Sequence, residues 1–170
     1  MKYHRVHILP EAKDLREAAL FLVSSLLISH GARKDTMAIV QIEETWITAY
    51  GDKIRHLRPD QDSSEGWVKA VLYKGKYKKL GASITSTPIV PLSEGYCIGN
   101  GVIGLNNIKD IIHLESNNNV TLTFIYIDKT GKFINTCKES INLELEVPRP
   151  LRPALINIVL DRIEAGLKPI

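Results

Sequence analysis

The sequence predicts a single-domain α/β fold, a Rossmann-like sheet with helices packed on it. Apolar residues recur at helical spacing in two early segments, and these alternate with short β-type runs, which is the pattern of an α/β chain. The 170 residues are 44% hydrophobic, enough for one ordinary core, and no internal repeat or linker divides them.

Each element has its own local reason. Tyr3 to Leu9 alternates like a strand. Leu15, Ala18, Ala19, Leu22, Val23 and Leu26 then keep helical spacing, and Gly31 supplies the stop that a left-handed C-terminal cap prefers. Strands are predicted at Met37 to Ile42 and Trp46 to Tyr50, with a short one at Lys53 to Leu57. Pro59 and Asp60 close that stretch, and Ser63 or Ser64 is the expected cap of a helix carrying Trp67, Val68, Val71 and Leu72. After a basic stretch and an irregular middle come a helix near Asn107 to Glu115 and strands Thr121 to Ile127 and Lys132 to Thr136, joined by Lys129-Thr-Gly131. A strand at Ser140 to Val147 leads through Pro148-Arg-Pro-Leu-Arg-Pro153 into a final helix, Ala154 to Ile163. That helix is apolar around most of its circumference, so it is either deeply buried or covered by a second subunit.

Charge and composition narrow the function. A net charge of +3 permits a polyanionic partner without demanding one. The cations cluster, however: Arg55, His56 and Arg58; Lys74, Lys76, Lys78 and Lys79 around Tyr73 and Tyr77; Arg149 and Arg152. Cys97 and Cys137 stand far apart without metal-ligand spacing, which reads as a reduced, intracellular protein. Met1 to Pro10 lacks the apolar run of a secretory signal, and no stretch reaches transmembrane length, so a soluble, cytoplasmic protein is expected. His4, His7, His56 and His113 have no partners at metal-binding spacing, and no nucleophile elbow, phosphate loop or paired-His motif occurs; hydrolase and kinase readings have no support.

Gly99-Asn-Gly101-Val-Ile-Gly104 spells a dinucleotide fingerprint, with Asp128 near the distance expected of a ribose-binding acid. Its lead-in, Pro88 to Ile98, holds two prolines and no clean buried strand. A Gly-rich surface loop is the default there, and nucleotide binding through Gly99, Gly101 and Gly104 the lesser alternative.

Two polar segments carry the densest chemistry: Ser24 to Thr36, and Ile54 to Ser63 running on into Leu72. Each sets a polar cluster at the end of an apolar element, where a chain presents side chains to a ligand. Over residues 18 to 72 the order of these segments resembles the SPOUT-class RNA methyltransferases, closest to the archaeal-type tRNA pseudouridine N1-methyltransferases. The matching residues are Ile28-Ser29-His30-Gly31-Ala32-Arg33-Lys34-Asp35, then Ile54 to Asp60 and Ser63 to Leu72.

The resemblance implies a SPOUT-like domain with a possible C-terminal trefoil knot, S-adenosylmethionine as methyl donor, tRNA or another structured RNA as partner, and a homodimer formed through the C-terminal helix. It implies RNA contact by His30, Arg33, Lys34, Arg55 and Arg58. Asp35 and Asp60 are the expected proton acceptors, since methyl transfer to a ring nitrogen needs somewhere for a proton to go. Leu145, Pro150, Leu151, Arg152 and Ala154 fall where the family holds its cofactor.

Departures are specific. Gln61 and Asp62 replace the Glu and Arg that usually follow the family's Pro-Asp, and no glycine occurs between Gly131 and Gly166, where cofactor-wrapping loops would be Gly-rich. A non-catalytic, RNA-binding relative that has lost the donor site is therefore the alternative to the methyltransferase.

Overall fold

The computed structural model describes residues 3–100, 121–128, 136–143 and 147–167. Strand β1 (Arg5–Ala12) is followed by helix α1 (Leu15–Leu26), whose first turn is capped by Asp14 accepting from the Glu17 amide at 2.8 Å. A short hairpin, β2 (Leu27–Ile28) and β3 (Gly31–Ala32), leads to β4 (Thr36–Ile42) and β5 (Thr45–Tyr50). Helices α2 (Gln61–Tyr73) and α3 (Tyr77–Leu80) precede β6 (Ala82–Thr85), and β7 (Tyr96–Asn100), β8 (Leu122–Tyr126) and β9 (Glu139–Leu143) complete the strands. The turn Arg149–Leu151 opens helix α4 (Arg152–Glu164).

Among the described residues seven strands form one sheet in the order β6-β5-β4-β1-β8-β7-β9. The five strands from β4 to β9 pair in parallel, while β5 and β6 add antiparallel pairing at one edge. This is a mixed α/β architecture of the Rossmann-like class. Alternation along the strands sorts side chains between two faces. Leu9, Val40, Phe124 and Tyr126 join Phe21, Leu22 and Leu26 of α1, Trp67 and Val68 of α2, and Ile156 and Val159 of α4 in one core. On the opposite face Val6, Ile8, Ile39, Trp46 and Ile125 form a second cluster with Val90 and Leu92 packed against it.

Several sequence expectations are corrected. Helix α1 does not end in a left-handed glycine: Leu27 is extended, and Arg33 N–H donates to Leu26 O at 2.7 Å, so the hairpin rather than a cap satisfies the helix end. No strand forms at Lys53 to Leu57, because the amides of Lys53 and Ile54 both turn back to Tyr50 O and His56 is left-handed at φ 62. Asp60 caps α2 in place of Ser63 or Ser64, accepting from the Ser63 amide at 3.0 Å.

The middle is less irregular than expected. Helix α3 and strands β6 and β7 form there, and β7 is buried through Gly99, so the first glycine of the fingerprint belongs to a strand and not to a surface loop. Gly101 and Gly104, the helix near Asn107 to Glu115 and the Lys129-Thr-Gly131 turn lie outside the described residues. Of the strand expected at Lys132 to Thr136, only Thr136 is described, in a turn, and the described part of the last strand starts one residue early, at Glu139.

Cys97 and Cys137 form a disulfide between β7 and the turn before β9, which corrects the expectation of separate reduced thiols. Pairing β7 with β9 brings together two residues 40 apart in sequence. Among the described residues no helix is long and apolar enough to cross a membrane.

Candidate functional site

The hairpin end of α1 and the turn before α2 meet in one groove of about 660 Å³. Val23, Ser24, Leu27, Ile28 and Ser29 supply one wall. Ile54, His56, Leu57, Arg58 and Pro59 supply the other, and Ala154 of α4 closes an end. The volume lies in the range of small-molecule and nucleotide sites. Its wall is apolar except for a few polar groups: the Ser24 and Ser29 hydroxyls, the His56 imidazole and the Arg58 guanidinium.

His56 is exposed and holds a left-handed backbone. That conformation costs a non-glycine residue of order 1 kcal/mol or more and persists only where neighbours impose it. Trp67 Nε1–H does so from α2, donating to Arg55 O at 2.9 Å, while Arg55 N–H donates to Leu80 O at 3.1 Å. The segment is thus clamped on both sides of the helix pair.

The residues expected to contact RNA divide among three places. Arg58 lines the groove, and His30 sits exposed at the tip of the β2–β3 hairpin beside it. Arg33 turns away to make a bidentate pair with Asp161 of α4, at 3.1 and 2.9 Å, next to exposed Lys34. Arg55 faces a second cavity across the 53–58 segment. Neither expected proton acceptor lines the groove. The Asp60 carboxylate caps α2, and the Ser63 hydrogen bonds hold its carboxyl below the usual range. Asp35 accepts from Thr36 Oγ1 at 3.0 Å, and its main-chain oxygen holds the amides of His4 and Arg5 at the start of β1.

The C-terminal turn lies across the carboxyl ends of the parallel strands. Arg152 is 4% exposed and donates to the main-chain oxygens of Ile98 at 3.3 Å, Ile127 at 2.9 Å and Val147 at 3.0 Å. Burial pulls its guanidinium pKa down, against the attraction of Asp128. Arg149 is also buried; it donates to Pro10 O and Glu11 O, where β1 is bulged and Glu11 is left-handed, and it pairs with Glu17. Pro150 is buried, its carbonyl accepting from Ser24 Oγ, whereas Leu151 points to solvent. Leu145 lies outside the described residues.

One buried polar network was not anticipated from the sequence. Arg5 and His7 of β1 point to the α4 side, where Arg5 Nη1 donates to Asn157 Oδ1 at 3.2 Å and His7 Nε2 lies 3.0 Å from the same oxygen. Because Asn157 Nδ2 donates to Ser25 O, Oδ1 is the acceptor, so His7 carries its proton on Nε2. Nδ1 is then left to accept from the Tyr126 hydroxyl at 2.6 Å. Burial lowers the His7 pKa to about 3 and keeps the ring neutral. Arg5 also pairs with Asp161 at 2.8 Å and Glu164 at 3.1 Å. A signal was present: Arg5 and His7 share a strand face at i and i+2, and Asn157 and Asp161 share a helix face at i and i+4.

No family model and no curated protein sequence matches this chain.

Proposed function

We propose that this chain is an RNA-binding protein of the SPOUT methyltransferase kind, with the groove between α1, the 54–59 turn and α4 as its RNA face. One observation carries the reading. The two polar segments on which the resemblance rests are well separated in sequence, yet they line the same groove together with Ala154 from the C-terminal turn. Its apolar wall suits the face of an unstacked base, while Ser29, His56 and Arg58 offer hydrogen bonds to base edges or phosphate; sequence-specific RNA recognition uses such splayed bases.

The chemistry done there divides into two readings at Arg152. The first is S-adenosylmethionine-dependent methylation of a tRNA pseudouridine, the activity that the resemblance implies. That cofactor would bring an electrophilic methyl group on a sulfonium cation. The described residues do not fit it: the carbonyls at the carboxyl ends of β7 and β8, and that of Val147, are already taken by a buried guanidinium, and a cation is a poor neighbour for a sulfonium. Arg152 therefore favours the second reading, an RNA-binding relative without a donor site.

Other parts of the proposal rest on separate grounds. A homodimer through α4 is supported by exposed Ile158 on that helix and exposed Leu151 in the turn that opens it. A C-terminal knot enters this reading through the resemblance alone; the described residues show the C-terminal turn lying across the ends of β7, β8 and β1. A cytoplasmic location goes with an RNA partner; the Cys97–Cys137 disulfide pulls the other way, since such bonds are rare in reducing compartments.

The test is isothermal titration with S-adenosylmethionine and S-adenosylhomocysteine beside a tRNA gel-shift at fixed salt. Binding of tRNA without either cofactor supports the non-catalytic reading. Micromolar cofactor binding restores the enzyme, to be followed by a methylation assay on tRNA. Absence of tRNA binding overturns both.

A further inference from the structure

We propose that the cavity on the other side of the 53–58 segment is a phosphodiester subsite, which holds the RNA backbone while the groove receives a base. The inference rests on the RNA reading above and adds to it a second, separately testable contact region. The cavity measures about 640 Å³, and Lys53, Arg55, Lys78 and Lys79 line it beside Tyr50 and Asp52. Four cations thus share one recess with a single carboxylate, and that carboxylate already accepts from the Tyr3 hydroxyl. Among the described residues Arg55, Lys78 and Lys79 form no ion pair. Gathering unpaired like charges costs free energy that a polyanion offsets.

The recess is built on rigid backbone. Gly81 ends α3 in the left-handed region at φ 80, and a Cβ there would come within 2.1 Å of Lys53 O, so the lysine-bearing helix sits directly on the Lys53–Ile54 backbone. Tyr50 N–H to Gly81 O and Arg55 N–H to Leu80 O, both 3.1 Å, tie the two sides together. Lys53 is further ordered by its ammonium lying 5.0 Å from the centre of the Tyr50 ring.

Continuity identifies the occupant. Ile54 lines both this cavity and the groove, and the left-handed turn at His56 separates Arg55, which faces the cavity, from His56 and Arg58, which face the groove. Lys74 and Lys76, shortly before Lys78 in the chain, are exposed as well. A strand with one base in the groove would meet these cations with its neighbouring phosphates. Such contacts position a nucleic acid without reading its sequence.

The test is fluorescence anisotropy of labelled tRNA with the wild type, the triple variant R55Q/K78Q/K79Q and the groove variant R58Q, from 50 to 200 mM KCl. Three lost phosphate contacts should flatten the dependence of log K on log salt by roughly 2.1 to 2.7, so the advantage of wild type over the triple variant should shrink roughly 20- to 40-fold across that range. The loss should be the same for homopolymeric single-stranded RNAs of different base. The double variant K78Q/K79Q, on exposed side chains, gives the same direction with a smaller slope change should the triple variant misfold by circular dichroism. An unchanged slope in both variants, with binding weakened in R58Q, overturns the subsite and leaves the groove reading standing. Inorganic pyrophosphate displacing tRNA as effectively as a short RNA marks a small-anion site and also overturns it. Failure of the wild type to bind tRNA overturns the subsite together with the RNA reading.

Discussion

At the residue scale, buried polar groups do most to specify this molecule. His7 is neutral in the fold, with its pKa lowered from the usual 6.5 to about 3 by burial, so the unfolded chain binds the extra proton first as pH falls. Stability is therefore full above about pH 6.5 and declines toward pH 3, with a slope of up to about 1.4 kcal/mol per pH unit. Urea unfolding of wild type and His7→Gln at pH 7, 6 and 5 checks this; the variant should be less stable at pH 7 and flatter below it. Asp161 acts in the same direction at lower pH. Burial raises its pKa, but bonds from Arg33 and Arg5 outweigh that and bring the net value down, so its contribution is lost on acidification.

Asp60 shows how a residue that suggests chemistry in a sequence can have a structural task in the fold. It caps α2 from an exposed position. Asp60→Asn, which keeps an acceptor for the Ser63 amide, should melt close to wild type, whereas Asp60→Ala should melt lower. A proton-accepting role would instead show as a loss of methylation in both variants.

At the scale of elements, helix α3 and the turn it rests on illustrate close packing that only glycine permits. Gly81→Ala places a Cβ against Lys53 O at a left-handed position, and a loss of about 2 kcal/mol or more is expected in denaturant unfolding. The β7–β9 pair carries the second element-scale prediction. Cys97→Ser/Cys137→Ser should lower stability by about 2–4 kcal/mol under oxidising conditions and leave the reduced wild type nearly matched to the variant.

At the scale of the whole molecule, helix α4 joins the parts. Its inner face binds β1 through Asn157 and Asp161, its first turn ties the ends of β7 and β8 through Arg152, and its outer face presents Ile158, with Leu151 of the preceding turn also exposed. Ile158 is 49% exposed, and Ile158→Asp should shift a dimer to monomer in sedimentation while leaving the thermal transition of the protomer in place.

Local pattern alone determined much of this protein. The α/β alternation, the strands at β1, β4, β5 and β8, and helices α1, α2 and α4 were legible because apolar spacing records which face of an element is buried. The two polar segments stood out too, since charge concentrated at element ends is conspicuous in a chain of only +3 net charge, and the fold brings residues of both to one groove. Tertiary structure decided what spacing does not encode. Strand β7 was hidden by Pro88 and Pro91 before it and Gly99 within it, because pairing with β8 and β9 gives it a strand conformation that these residues do not signal. Arg33 was expected at RNA, Arg152 at the cofactor and Arg149 beside it in a basic cluster, yet all three fold inward because Asp161, Glu17 and main-chain oxygens from distant segments meet them there. The groove and the basic cavity exist only once α1, the 53–59 turn, α3 and α4 pack together, since each takes its walls from segments that the sequence keeps apart.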